Sequence, residues 1–141
     1  MGAVQIFDAT KDEKSYINNQ LVSYNNSQVP FTQEQPFIPI SKCIKEGDEV
    51  VAGILAVMYC WRVLFIDILW VKEEFRGRGY ASALLKDVEE MAKEKQCGLS
   101  HLDTYDFQAR ALYEKLGYTV FGVLEDCPEG HCRYFMSKRL V

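Results

Sequence analysis

Residues 71–85 read VKEEFRGRGYASALL. An apolar run ends where this stretch begins and a helical repeat begins where it ends, so the fold turns on what two glycines and two arginines do at the junction. A helix N-terminus presents backbone N–H groups without intrahelical partners, together with the positive end of the peptide dipoles. Gly77 and Gly79 leave that backbone bare, and Arg76 and Arg78 add positive charge. The stretch therefore has the makings of a pyrophosphate cradle. Read more plainly, it is a strand-to-helix turn whose glycines supply unusual backbone angles.

Working upstream, FIPISKCIKE, a turn around Gly47, VVAGILAVMYCW and VLFIDILWV are strand-like runs with short connections, which predicts an antiparallel meander. The last run is apolar on both faces apart from Asp67, the mark of a central strand. Thr10 and Glu13 have capping-box spacing, and Ile17, Leu21 and Tyr24 then share one helical face, so a helix is predicted from about residue 11 to 27. The polar stretch NNSQVPFTQEQP after it is a loop, either a border of a substrate site or a plain connector.

Downstream, Ala83, Leu84, Val88, Met91 and Ala92 repeat at helical spacing, with Gly98 as the expected stop. LSHLDTY reads as a fifth strand and FQARALYEKLGY as a short helix stopped by Gly117. TVFGVLED and CRYFMSKRL read as closing strands around the loop CPEGH. This order predicts one α/β (α+β) domain over residues 1–141, with a mixed sheet flanked by helices.

The 141-residue chain is 48% hydrophobic, enough for one core, and its formal charge of −4 argues against a nucleic-acid binder. Five cysteines without a CxxC pair read as reduced thiols in a cytoplasmic protein. Cys127, His131 and Cys132 crowd together but lack a second ligand pair at zinc-like spacing, so no metal is expected. The N-terminus lacks a basic, then apolar, leader pattern, and no run approaches eighteen uncharged apolar residues, so no membrane partner is expected.

Two familiar phosphate loops can be tested against the letters. A Walker loop needs Gly-Lys-Ser/Thr, which is missing. A dinucleotide fingerprint starting at Gly77 finds Ser82 in place of its third glycine, although Asp103 lies at a suitable distance, and a meander is the wrong prelude to a βαβ unit.

A third pattern fits both ends of the region. Arg76-Gly77-Arg78-Gly79-Tyr80-Ala81 resembles the Arg/Gln-x-x-Gly-x-Gly/Ala segment of the GCN5-related N-acetyltransferase (GNAT) superfamily, and FQARALYEKLGYTVFG resembles that family's second acetyl-CoA motif. The resemblance runs from about residue 54 to the C-terminus. It implies a mostly antiparallel mixed sheet with acetyl-CoA at a splay between the fourth and fifth strands. Backbone N–H groups of Gly77, Arg78, Gly79, Tyr80, Ala81 and Ser82 would hold the pyrophosphate. The backbone of Leu69, Trp70 and Val71 would pair with the pantetheine arm, and Val71 or Leu69 would polarise the thioester carbonyl.

By the same resemblance Tyr113 is the general acid for the leaving thiolate, whereas periodicity alone makes it a core aromatic; Gln108 is a further candidate cofactor ligand. Asp67, with burial expected to raise its pKa, and Asp103 are candidate bases or satisfied structural acids, with a water chain as the alternative base. His131 is a candidate proton carrier or an ordinary turn residue. The acidic loop around it, with Glu125, Asp126 and Glu129, is either suited to a cationic amine or a solvated charge run. The implied function is an N-acetyltransferase moving acetyl from acetyl-CoA to a primary amine of a small molecule or peptide. A non-catalytic acyl-CoA sensor and a dinucleotide-binding oxidoreductase are the alternatives. Apolar strand edges near the C-terminus are compatible with a homodimer.

Overall fold

The computed structural model describes residues 2–141. Its first helix, α1, spans Lys11–Gln28 and begins at the expected capping box: Thr10 N–H donates to Glu13 Oε1 at 2.8 Å, and Glu13 N–H donates to Thr10 Oγ1 at 3.2 Å. The chain then forms β1 (Phe37–Glu46), β2 (Glu49–Tyr59) and β3 (Val63–Val71), and after a short 3-10 turn at Glu73–Phe75 comes α2 (Tyr80–Glu94). β4 (Leu99–Tyr105), α3 (Arg110–Lys115), β5 (Thr119–Glu125) and β6 (Cys132–Arg139) complete it.

The six strands make one sheet in the order β1-β2-β3-β4-β6-β5. Every neighbouring pair is antiparallel except β3 and β4, which are parallel. This is the expected mixed, mostly antiparallel sheet. Three strands, not four, precede the glycine loop, so the strands that flank the splay are β3 and β4 in the observed count.

α2 also ends earlier than Gly98. Gln96 takes the left-handed conformation (φ 65°), and the N–H groups of Gln96 and Cys97 return to Lys93 O and Ala92 O at 2.9 Å each. This closes the helix as a Schellman motif in which glutamine fills the place glycine usually takes.

The core lies between α2 and one face of the sheet. Leu84, Leu85, Val88 and Ala92 pack with Ile54, Met58, Leu64, Ile66, Leu102 and Met136, all nearly or wholly buried. Each such large side chain contributes about 1.5–3 kcal/mol through burial. A polar tie crosses this core. Tyr118 Oη donates to Glu89 Oε2 at 2.8 Å and lies 2.7 Å from Ser100 Oγ, while Lys138 Nζ donates to Glu89 Oε1 at 2.8 Å. Glu89 is only 4% exposed, so the pairing offsets the cost of burying its charge.

Among the described residues, the opposite face of the sheet carries no such cover. Strand alternation turns Leu55, Ile68 and Trp70 away from α2, and all three are about half exposed. α1 has no buried residue, so the stripe of Ile17, Leu21 and Tyr24 stays in solvent.

Candidate active site

β3 and β4 pair only where residues 63–66 meet residues 99–102, and beyond that they part. A one-residue bulge starts the divergence: Leu55 faces Ile68 and Ala56 faces Ile66, which leaves Asp67 unmatched. Such a bulge bends a strand and re-aims the residues beyond it. The gap opens into a cleft of about 600 Å³. Residues 66–71 form one wall, Asp103 and Thr104 the other, the glycine loop and the start of α2 one end, and Gln108, Leu112 and Tyr113 the rest.

The direction of the free backbone on β3 can be told from one bond. Lys72 N–H donates to Val51 O at 2.8 Å, toward β2. Since backbone groups alternate sides along a strand, Trp70 also turns its N–H and C=O to β2, while Leu69 and Val71 turn theirs to the splay, where β4 no longer reaches. The N–H groups that the splay leaves free are therefore those of Leu69 and Val71, and not that of Trp70, whose side chain stands on the uncovered face.

At the end of this edge, Gly77 and Gly79 both adopt left-handed angles (φ 80° and 81°), and Gly79 is the N-cap of α2. A Cβ at either position would project into open space, so these glycines are required by the backbone conformation and keep the approach clear. The N–H groups of Tyr80, Ala81 and Ser82 are the unpaired donors of the first turn.

The flanking side chains are less available. Arg76 Nε donates to Val71 O at 3.1 Å. Arg78 lies over the Phe75 ring at 4.6 Å and is not part of the cleft lining. Tyr80 Oη donates to Glu46 Oε1 at 3.0 Å, so its hydroxyl is directed away from the loop.

Tyr113 is 6% exposed, packs edge-on to Tyr118 at 5.9 Å, and lines the cleft. Burial, helped by the negative charge of Asp103, pushes its pKa up to about 12. It stays a proton donor through the whole neutral range. Gln108 lines the cleft as well, but its Oε1 accepts from Thr104 Oγ1 at 3.2 Å and from Tyr105 N–H at 3.0 Å, which makes it a turn clamp.

The carboxylates separate by environment. Asp67 sits at the bulge and is exposed, so the burial expected of it is absent; it makes no hydrogen bond or ion pair among the described residues. Asp103 Oδ1 receives Arg133 Nε at 2.9 Å and Arg133 Nη2 at 2.7 Å, a pairing across thirty residues that the sequence does not announce. His131 stands outside the cleft with Nδ1 2.8 Å from Asp106 Oδ1. The Cys132 N–H first, and His131 second, hold the Asp106 carboxyl below its usual range.

Sequence reading missed Phe75, Thr104, Phe107 and Leu112 as cleft residues. Cys60 and Cys97 are buried, Cys127 and Cys132 are half-buried, and Cys43 is exposed. No cluster of three or more His, Cys, Asp or Glu side chains suited to a metal occurs among the described residues. No helix there is long and apolar enough to cross a membrane.

Comparison with known proteins identifies the family. The family model described as "Acetyltransferase (GNAT) family" matches residues 4–118. Blasticidin-S acetyltransferase of Streptomyces morookaense is 34% identical over 99 residues, covering 70% of this chain and 71% of that protein. The crystal structure of an acetyltransferase from Bacillus cereus superposes with a TM-score of 0.88 at 40% identity, over 96% of this chain and 97% of that one. A Bacillus anthracis protein described as a streptothricin acetyltransferase, crystallised with acetyl coenzyme A, shares the fold at 16% identity (TM-score 0.63, 77% of this chain and 65% of that one).

Proposed function

The chain belongs to the GNAT family of acetyltransferases, and from that premise we propose that it moves acetyl from acetyl-CoA to a primary amine of a small molecule or peptide. The observation that carries this reading is the continuous surface made by the unpaired edge of β3 and the glycine-led start of α2. An arm with amide groups can add to the first as a strand, and a pyrophosphate suits the second.

In this reading the N–H groups of residues 77–82 hold the pyrophosphate, and Leu69 and Val71 hold the pantetheine arm. One of those two N–H groups donates to the thioester oxygen as the amine attacks, where a preset donor stabilises the developing negative charge. The C–N bond forms and the C–S bond breaks. Tyr113 donates first a hydrogen bond and then a proton to the departing thiolate, and regains it from solvent. The attacking nitrogen loses its proton to Asp67, directly or through water, because Asp103 is already engaged by Arg133 and His131 lies outside the cleft. The uncommitted carboxylate at the mouth suits an acceptor that carries positive charge.

Calorimetric titration with acetyl-CoA, using NAD and ADP as controls, tests the reading. Micromolar binding of acetyl-CoA, with thiol release on adding amines, is the expected result. Preference for NAD, or no binding of acetyl-CoA, would overturn it.

A further inference from the structure

Among the described residues, two apolar surfaces lack partners. One is the stripe on α1, where Ile17, Leu21 and Tyr24 are 59%, 59% and 60% exposed. The other is the uncovered sheet face around Leu55, Ile68 and Trp70, with half-buried Phe65 beside it. The helix is of the kind that would cover such a face, yet it does not cover its own.

The connector shows why. Trp61 Nε1 donates to Val29 O at 2.8 Å, Thr32 N–H donates to Cys60 O at 3.0 Å, and Arg62 N–H donates to Gln33 Oε1 at 3.0 Å. Phe31 packs edge-on to Trp61 at 5.7 Å. These contacts pin residues 29–33 to the β2–β3 turn and send α1 outward.

We propose that two copies exchange these arms, the α1 of each lying on the uncovered sheet face of the other. The arrangement is isologous, since helix and face reside on every chain and two such contacts close a two-fold dimer. The area is sufficient. With Val4, Ile6, Phe7 and Tyr16, which are also exposed, each arm offers seven large apolar side chains. At on the order of 100 Å² apiece, two arms alone supply roughly 1,400 Å², before the sheet faces they cover are counted, against about 1,600 Å² buried in a standard stable interface.

Ile68 and Trp70 belong to both the uncovered face and the cleft lining. The partner's α1 therefore walls the mouth on the acceptor side, a consequence that rests on the function proposed above. The exchange itself does not depend on that function and is read by mass.

Sedimentation of the full chain is expected to give a species of twice 16.2 kDa. Ile17→Glu/Leu21→Glu alters only the helix, and Leu55→Glu/Ile68→Glu alters only the face. Each variant alone should sediment as a folded monomer, with folding checked by circular dichroism and cooperative melting. Mixing the two at high concentration should restore the double mass, because the intact helix of one meets the intact face of the other. A monomeric wild type, a dimer that survives both double substitutions, or a mixture that stays monomeric would overturn the proposal. If the sheet variant does not fold, the helix variant decides alone, since its substitutions are in solvent within the single chain.

Discussion

Replacing Tyr113 by phenylalanine isolates one hydroxyl. The ring stays in its place against Tyr118, and no hydrogen bond to the hydroxyl occurs among the described residues, so stability should hold within about 0.5 kcal/mol. The size of the catalytic loss can be worked from the pKa of about 12. A thiol of ordinary pKa, roughly 8.5, is a weaker base as its thiolate than a phenolate of pKa 12, so complete proton transfer is uphill. Most of the benefit is then a hydrogen bond to a charged sulfur, worth roughly 1.5–3 kcal/mol, or about 10- to 150-fold in rate. The expected result is a drop of that size in kcat, measured by thiol release under saturation, with acetyl-CoA affinity by calorimetry changed less than about threefold. The raised pKa adds a pH signature: at pH 10 a phenol of pKa 12 is only about 1% ionised, against half for an unperturbed one, so the wild type should keep its turnover up to that pH. An unchanged kcat in the variant would remove Tyr113 from the acid role.

Gly79→Glu places a side chain and a negative charge at the phosphate end of the cleft, and acetyl-CoA affinity should fall at least about 100-fold. Gly47, also left-handed (φ 62°) with open space around it but in the β1–β2 turn, is the control for backbone strain; equal losses at the two sites would sink the cradle assignment. Lys138→Met leaves Glu89 buried without its cation, which should cost about 3–5 kcal/mol in urea unfolding. Adding Glu89→Gln should recover much of that loss, whereas a single-variant cost below about 1 kcal/mol would contradict the reading of the pair.

The elements that could be read from the letters are those with local causes. The capping box, the meander, the glycine loop and the helix stop at Gly117 all announce themselves within a few residues. What escaped reading depends on distant partners or on one-residue irregularities. Period-two alternation places Asp67 on one face with Phe65 and Leu69; the bulge breaks that alternation, so Leu69 and Val71 join the core side with Leu64 and Ile66 while Asp67 is left in solvent. Arg133 commits Asp103 from thirty residues away, and Glu46 draws off Tyr80 from thirty-four. The apolar face of α1 could be seen in the sequence, but periodicity does not say against what it packs.

The short parallel ladder between β3 and β4 has a kinetic side. Among the described residues it is the only backbone ladder between the meander β1-β2-β3 and the group β4-β6-β5; it spans four residue pairs, where β1 and β2 share ten, and the Tyr59 Oη–His101 Nε2 hydrogen bond of 2.6 Å crosses beside it. The meander closes by contacts near in sequence and forms early, while the parallel join must wait for α2 and its long loop closure. Opening along this seam can therefore part the two halves without unravelling either of them. What resists it is the tie from Glu89 on α2 to Ser100 on β4, through Tyr118, and to Lys138 on β6. The seam that joins the two halves is thus the line on which the proposed ligand would lie, and a bound arm that pairs with β3 would brace one half against the other.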